Sequence, residues 1–149
     1  YFPHKQSLLN SLLARHLNDV SQAVIACCAE QHGTALQPMI SALVSTYLEA
    51  KFARPEASRA LYVIAMDHGG EEILQQVQDE MRGAVSALLS SAADASFTEA
   101  DTVAVILITS LAGVLCHAVG SDAAASPDAL YPHLNTLGYA YVKAYAVER

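Results

Sequence analysis

The chain has 149 residues, enough for one domain with a single sizeable core. Apolar residues make up 53% and charged residues only 15%, below the roughly 25% of an ordinary soluble domain, so surface is expected to be buried in an oligomer. A net charge of −7, with no Lys or Arg between Arg82 and Lys143, excludes a nucleic-acid surface on the C-terminal half.

Periodicity predicts an all-α, antiparallel bundle of about six helices. The first runs from about Lys5 to Gln31, with Leu9, Leu12, Leu13, Leu17, Val20, Val24 and Cys27 at three- and four-residue steps, and Gly33 as its left-handed cap. The second opens on Pro38 and lines one face with Met39, Leu43, Tyr47 and Ala50. Pro55 opens a third, from Glu56 to about Asp67, which Gly69 and Gly70 stop. The fourth begins near Glu71, with Leu74, Val77, Met81, Val85 and Leu88 inward and Gln75, Gln78, Asp79 and Arg82 toward water.

Thr98 and Asp101 form a capping-box-like start for the fifth helix, and Gly120 closes it. Thr102 to Ser121 carries no charge and is long enough to span a bilayer, but its flanks are Asp101 and Asp122 rather than basic or aromatic anchors. A helix buried on nearly all sides of a bundle, with no membrane partner, is the expectation. Ser126 and Pro127 start the sixth helix, whose seam is Leu130, Leu134, Leu137, Tyr141 and Tyr145, with Tyr139 and Val142 off it; Pro132 kinks it early or marks its real start. Both last helices are apolar beyond one face, so they are expected to pair with their symmetry mates, with Ala112 and Gly113 permitting close approach.

Cys27, Cys28 and Cys116 read as buried, reduced thiols of a cytoplasmic protein. No phosphate loop, nucleophile elbow or Glu-x-x-His is present, so neither enzyme chemistry nor a cofactor is expected. Asp67–His68 and His32 read as helix-terminal groups rather than metal ligands. His117 aligns with Ser110 and Gly113 on an apolar helix; it is either a core or dimer-seam histidine or a polar anchor in a ligand cavity, with Tyr47, Tyr62, Met66 and Met81 facing the same space.

The opening Tyr1-Phe2-Pro3-His4-Lys5, then Leu8-Leu9 and a long amphipathic helix, resembles the stretch that closes the helix-turn-helix head of TetR-family transcriptional regulators. The resemblance implies that residues 1–4 end a DNA-binding head, whose earlier helices would precede Tyr1. Residues 5–149 would be the connecting helix and the ligand-binding, dimerising domain. It assigns Tyr1 and Lys5 to DNA phosphates and Phe2 to packing in the head. It further implies a homodimeric repressor released from operator DNA by a small, largely apolar effector, which the acidic balance suggests is neutral or cationic. The alternative is a helical protein–protein interaction module without a ligand.

Overall fold

A computed structural model describes residues 2–55, 57–59, 71–120 and 126–149. Five helices have defined bounds: α1 (Phe2–Glu30), α2 (Leu36–Phe52), α3 (Glu71–Ser90), α4 (Ala100–Gly120) and α5 (Pro127–Tyr145). Residues 55 and 57–59 are also helical. The fold is all-α, as the periodicity predicts. α1 packs on α2 and α3, α3 on α4, and α2 on α5, around one apolar core that takes side chains from all five.

α1 starts earlier than expected. Phe2 to Lys5 are already helical, with no turn before Lys5. Proline at the second position costs nothing there, because the first amides of a helix have no intrahelical acceptor to lose. At the other end Gly33 has φ +78°, the left-handed turn foreseen for it, and its N–H donates to Ser91 Oγ at 3.0 Å.

α2 begins at Leu36, so Pro38 sits within the first turn rather than at its head. Ala35 offers no side-chain cap, and the Leu36 N–H instead donates to the Asp94 carboxylate at 2.8 Å. A carboxylate at that place also meets the positive end of the helix dipole. The loop that carries Asp94 acts as a staple. Ala93 N–H donates to Thr34 O, Arg149 N–H donates to Asp94 O, and β1 (Ala95–Ser96) pairs antiparallel with β2 (Val147–Glu148). This two-residue ribbon lies outside anything helical periodicity can indicate.

α4 corrects one expectation. Val103, Leu107, Leu111 and Leu115 are buried, but Val105, Ile106 and Val114 are exposed, so the helix is not enclosed on nearly all sides within one chain. Ala100–Val119 is long and apolar enough to cross a membrane by length and composition, yet one of its faces belongs to the core.

In α5, Ser126 caps the start by accepting the Ala129 N–H, and the helix runs through Pro132 rather than starting there. Its core face is rotated from the expected seam. Leu134, Gly138 and Val142 are the buried positions, whereas Leu137 is 46% exposed. Val142, expected off the seam, is fully buried. Gly138 explains the shift: a Cβ there would lie 3.3 Å from both Ile40 Cγ2 and Leu107 Cδ1, so the α5 backbone itself fills the contact.

Candidate functional site

The polar side chains that the described part of the fold buries are few: His16, Ser21, Lys51 and Ser58. The side chains of His16 and Ser58 meet, and the Ser58 hydroxyl also reaches the backbone of Lys51, from three distant segments. α1 supplies His16, the last turn of α2 supplies Lys51, and the helical residues after Pro55 supply Ser58. Ser58 Oγ lies 2.6 Å from His16 Nε2 and 3.0 Å from the Lys51 carbonyl oxygen. A hydroxyl has one hydrogen; with that hydrogen on the carbonyl, His16 Nε2–H donates to Ser58 Oγ. The contact ties α1 to the end of α2.

Lys51 is 3% exposed, with its ammonium 5.8 Å from the centre of the Tyr47 ring. Burial pulls its pKa down to about 8, partly offset by the Cys116 thiol. The His16 pKa is lowered, first by burial and then by Lys51, with Arg54 adding to the effect and Asp19 opposing it. With its pKa lowered, His16 is held toward the neutral imidazole, and Lys51 is the buried lysine or arginine among the described residues.

The thiols sit in unreactive settings. Cys27 and Cys28 are buried, and burial together with the neighbouring Cys27 pushes Cys28 up to about 12. The Cys116 thiol is raised by burial, against the influence of Lys51. Neither environment produces the thiolate that a reactive cysteine requires.

The residues expected to share a ligand cavity are not all brought together. Tyr47 and Met81 are buried in the apolar core. Ser110 and His117 lie on the exposed outer side of α4, away from that core. Tyr62 and Met66 fall outside the described residues, as do the Asp67–His68 pair and Tyr1. Lys5 is exposed on the first turn of α1, and His32 is also exposed. Among the described residues no cluster of His, Cys, Asp and Glu could hold a metal ion.

The expected dimer residues divide by face. Gly113, Leu137 and Tyr145 are exposed, whereas Leu134 is buried and Ala112, Leu130 and Tyr141 pack partly against the protomer's own core. Gly113 belongs to an outer stripe of α4 with Val105, Ile106, Thr109, Ser110 and His117. Leu137 belongs to one on α5 with His133, Thr136, Ala140 and Ala144. No Asp, Glu, Lys or Arg interrupts either stripe.

A family model for the tetracycline repressor-like C-terminal domain matches residues 35–141. The chain belongs to that TetR family. No curated protein and no solved structure compared with it matches. The TetR match spans α2 to α5, the helices that carry both Lys51 and the outer stripes, and lies C-terminal to the opening motif. Family and motif thus rest on different residues.

The sequence reading missed His16, Lys51 and Ser58. Two of them had a signal. His16 falls three residues after Leu13 and four before Val20, and Lys51 falls four after Tyr47 and three after Leu48, so both occupy apolar stripes. A charged residue in register with a stripe is the pattern to look for. Ser58 had no such mark.

Proposed function

We propose that this chain is the effector-sensing and dimerising part of a transcriptional regulator. It acts as a cytoplasmic homodimeric repressor that leaves its operator when a small, largely apolar ligand binds. Membership of the TetR-like C-terminal family over residues 35–141 carries this reading. The uncharged outer stripes of α4 and α5 support a two-fold interface, and α1 supports a lever joining the core to a DNA-binding head. Tyr1 and Lys5 would touch phosphates rather than bases. Effector binding would favour a conformer whose two heads no longer match successive major grooves about 34–36 Å apart.

Selection of bound DNA from a genomic fragment pool tests this, using the protein with its head. The expected outcome is a two-fold symmetric site whose half-sites lie about one helical turn apart. The chain of net charge −7 alone should bind no DNA sequence selectively. Failure of the headed protein to enrich any symmetric site would overturn the reading.

A further inference from the structure

We propose that the His16–Ser58 contact is an acid-released latch: it holds α1 on the corner after α2 while His16 is neutral, and opens when His16 takes up a proton. The latch belongs to the bundle and stands whether or not the chain meets DNA. One side chain comes from α1, the other from the helical residues after Pro55, and both are buried. His16 Nε2 lies 2.6 Å from Ser58 Oγ, and the Ser58 hydroxyl donates to the Lys51 carbonyl oxygen at 3.0 Å. Two hydrogen bonds in series therefore run from the middle of α1 to the last turn of α2. The imidazole gives one hydrogen, the hydroxyl gives one, and the carbonyl receives. Lys51 enters through its backbone, so the joint does not draw on its ammonium.

The surroundings make this joint sensitive to a proton on His16. An imidazolium held there would lose its hydration and face two cations, Lys51 of α2 and Arg54 just beyond it, against the single carboxylate Asp19 of α1. Among the described residues no other charge acts on the ring, and none comes from α3, the other helix packed on α1. Arg59, beside Ser58, is exposed. Burial and the two cations lower the His16 pKa from its ordinary 6.5. Linkage gives the direction. The closed joint excludes the proton, whereas an open joint with His16 in water accepts it, so acid favours the open state. The contact is secure above pH 6.5 and weakens as pH falls from there toward the lower folded value. In the regulator proposed above, acid would slacken the helix that leads to the head.

Amide hydrogen exchange on the 149-residue chain, corrected for the intrinsic effect of pH, tests the latch. On acidification, opening of residues 9–20 of α1 and 51–55 should grow by up to about tenfold per pH unit below 6.5, while α3 and α4 keep their protection. His16→Gln places an amide N–H donor where Nε2 stands and cannot be protonated in this range, so it should hold the joint closed at either pH. Ser58→Ala removes the acceptor and should open the same segments about fivefold at neutral pH. A parent whose α1 protection ignores pH would overturn the proposal. So would a folded His16→Gln variant with the parent's pH response, or unchanged protection in Ser58→Ala. Acid loss spread evenly over α3 and α4 would also overturn it, because the whole bundle rather than the joint would then be giving way. A His16→Gln variant that fails to fold leaves the decision to the parent and Ser58→Ala, either of which can overturn the latch alone. Operator binding is no part of the readout, so failure of the regulator reading leaves the latch standing.

Discussion

At residue scale the decisive observation is a lysine amine held inside the bundle. Its pKa of about 8, against an ordinary 10.5, means that the folded protein keeps an ammonium at neutral pH at a cost on the order of 3 kcal/mol. As pH rises the folded amine loses its proton first, and the unfolded chain holds its own until about 10.5. The penalty is therefore full below about pH 8 and fades between 8 and 10.5, so Lys51 makes stability rise across that window. Cys28 works the other way above the ordinary thiol value, because the folded chain retains its proton longest. It does so with or without Lys51. Tyr47, His16, Arg54, Asp19 and Cys116 are the other groups in electrostatic or ring contact with this cluster. Urea unfolding at about pH 7 and about pH 10 should find Lys51→Met the more stable protein at the lower pH, with the gap closing at the higher. A gap independent of pH would mean that the amine is not desolvated. The cost explains why a buried lysine is rare in a structural core and argues for a use. It also shows why the site was only half legible: the sequence places Lys51 and His16 on apolar stripes, but says nothing of which stripes meet.

At element scale the helices were legible because each stripe spans several turns and each end carries punctuation. Gly33 and Ser126 do what their chemistry indicates. Two features were hidden for separate reasons. The α2 cap comes from Asp94, 58 residues away, and no local pattern encodes a cap supplied by another segment. The α5 seam was misplaced because a core contact made by glycine has no side chain for periodicity to count. Gly138 is a usable test of that contact. Alanine there gains helix propensity worth about 1 kcal/mol and must push two methyl groups aside by a few tenths of an ångström. Gly138→Ala should therefore stay within about 1 kcal/mol of the parent in chemical denaturation. Gly138→Leu drives a longer side chain into Ile40 and Leu107, and should lose about 3 kcal/mol. Equal stability of the two variants would mean that α5 can move away from α2 without loss.

At the scale of the whole molecule, the question is what covers the outer side of α4 and α5. Val105, Ile106, Val114 and Leu137 are all exposed in the protomer, on helices adjacent in the chain and packed together. Apolar side chains scattered singly would need no explanation, but these are ordered along two uncharged stripes. A two-fold axis through them would bring four helices together and present each stripe to its own copy, so a single substitution acts twice. The rotated seam makes the test sharper than the sequence allowed, because Leu134 and Leu137, one turn apart, now face opposite environments. Leu134 is 3% exposed, so Leu134→Glu buries a carboxylate in the protomer core and should unfold the chain. Leu137 is 46% exposed, so Leu137→Glu should leave a helical, cooperatively folded protomer. Within a dimer the same change sets two carboxylates against each other in a desolvated seam. Sedimentation at micromolar concentration should therefore give a dimer for the parent and a folded monomer for Leu137→Glu, while circular dichroism separates that outcome from the unfolded Leu134→Glu. A parent that sediments as a monomer, or a Leu137→Glu variant that remains dimeric, would place the interface elsewhere.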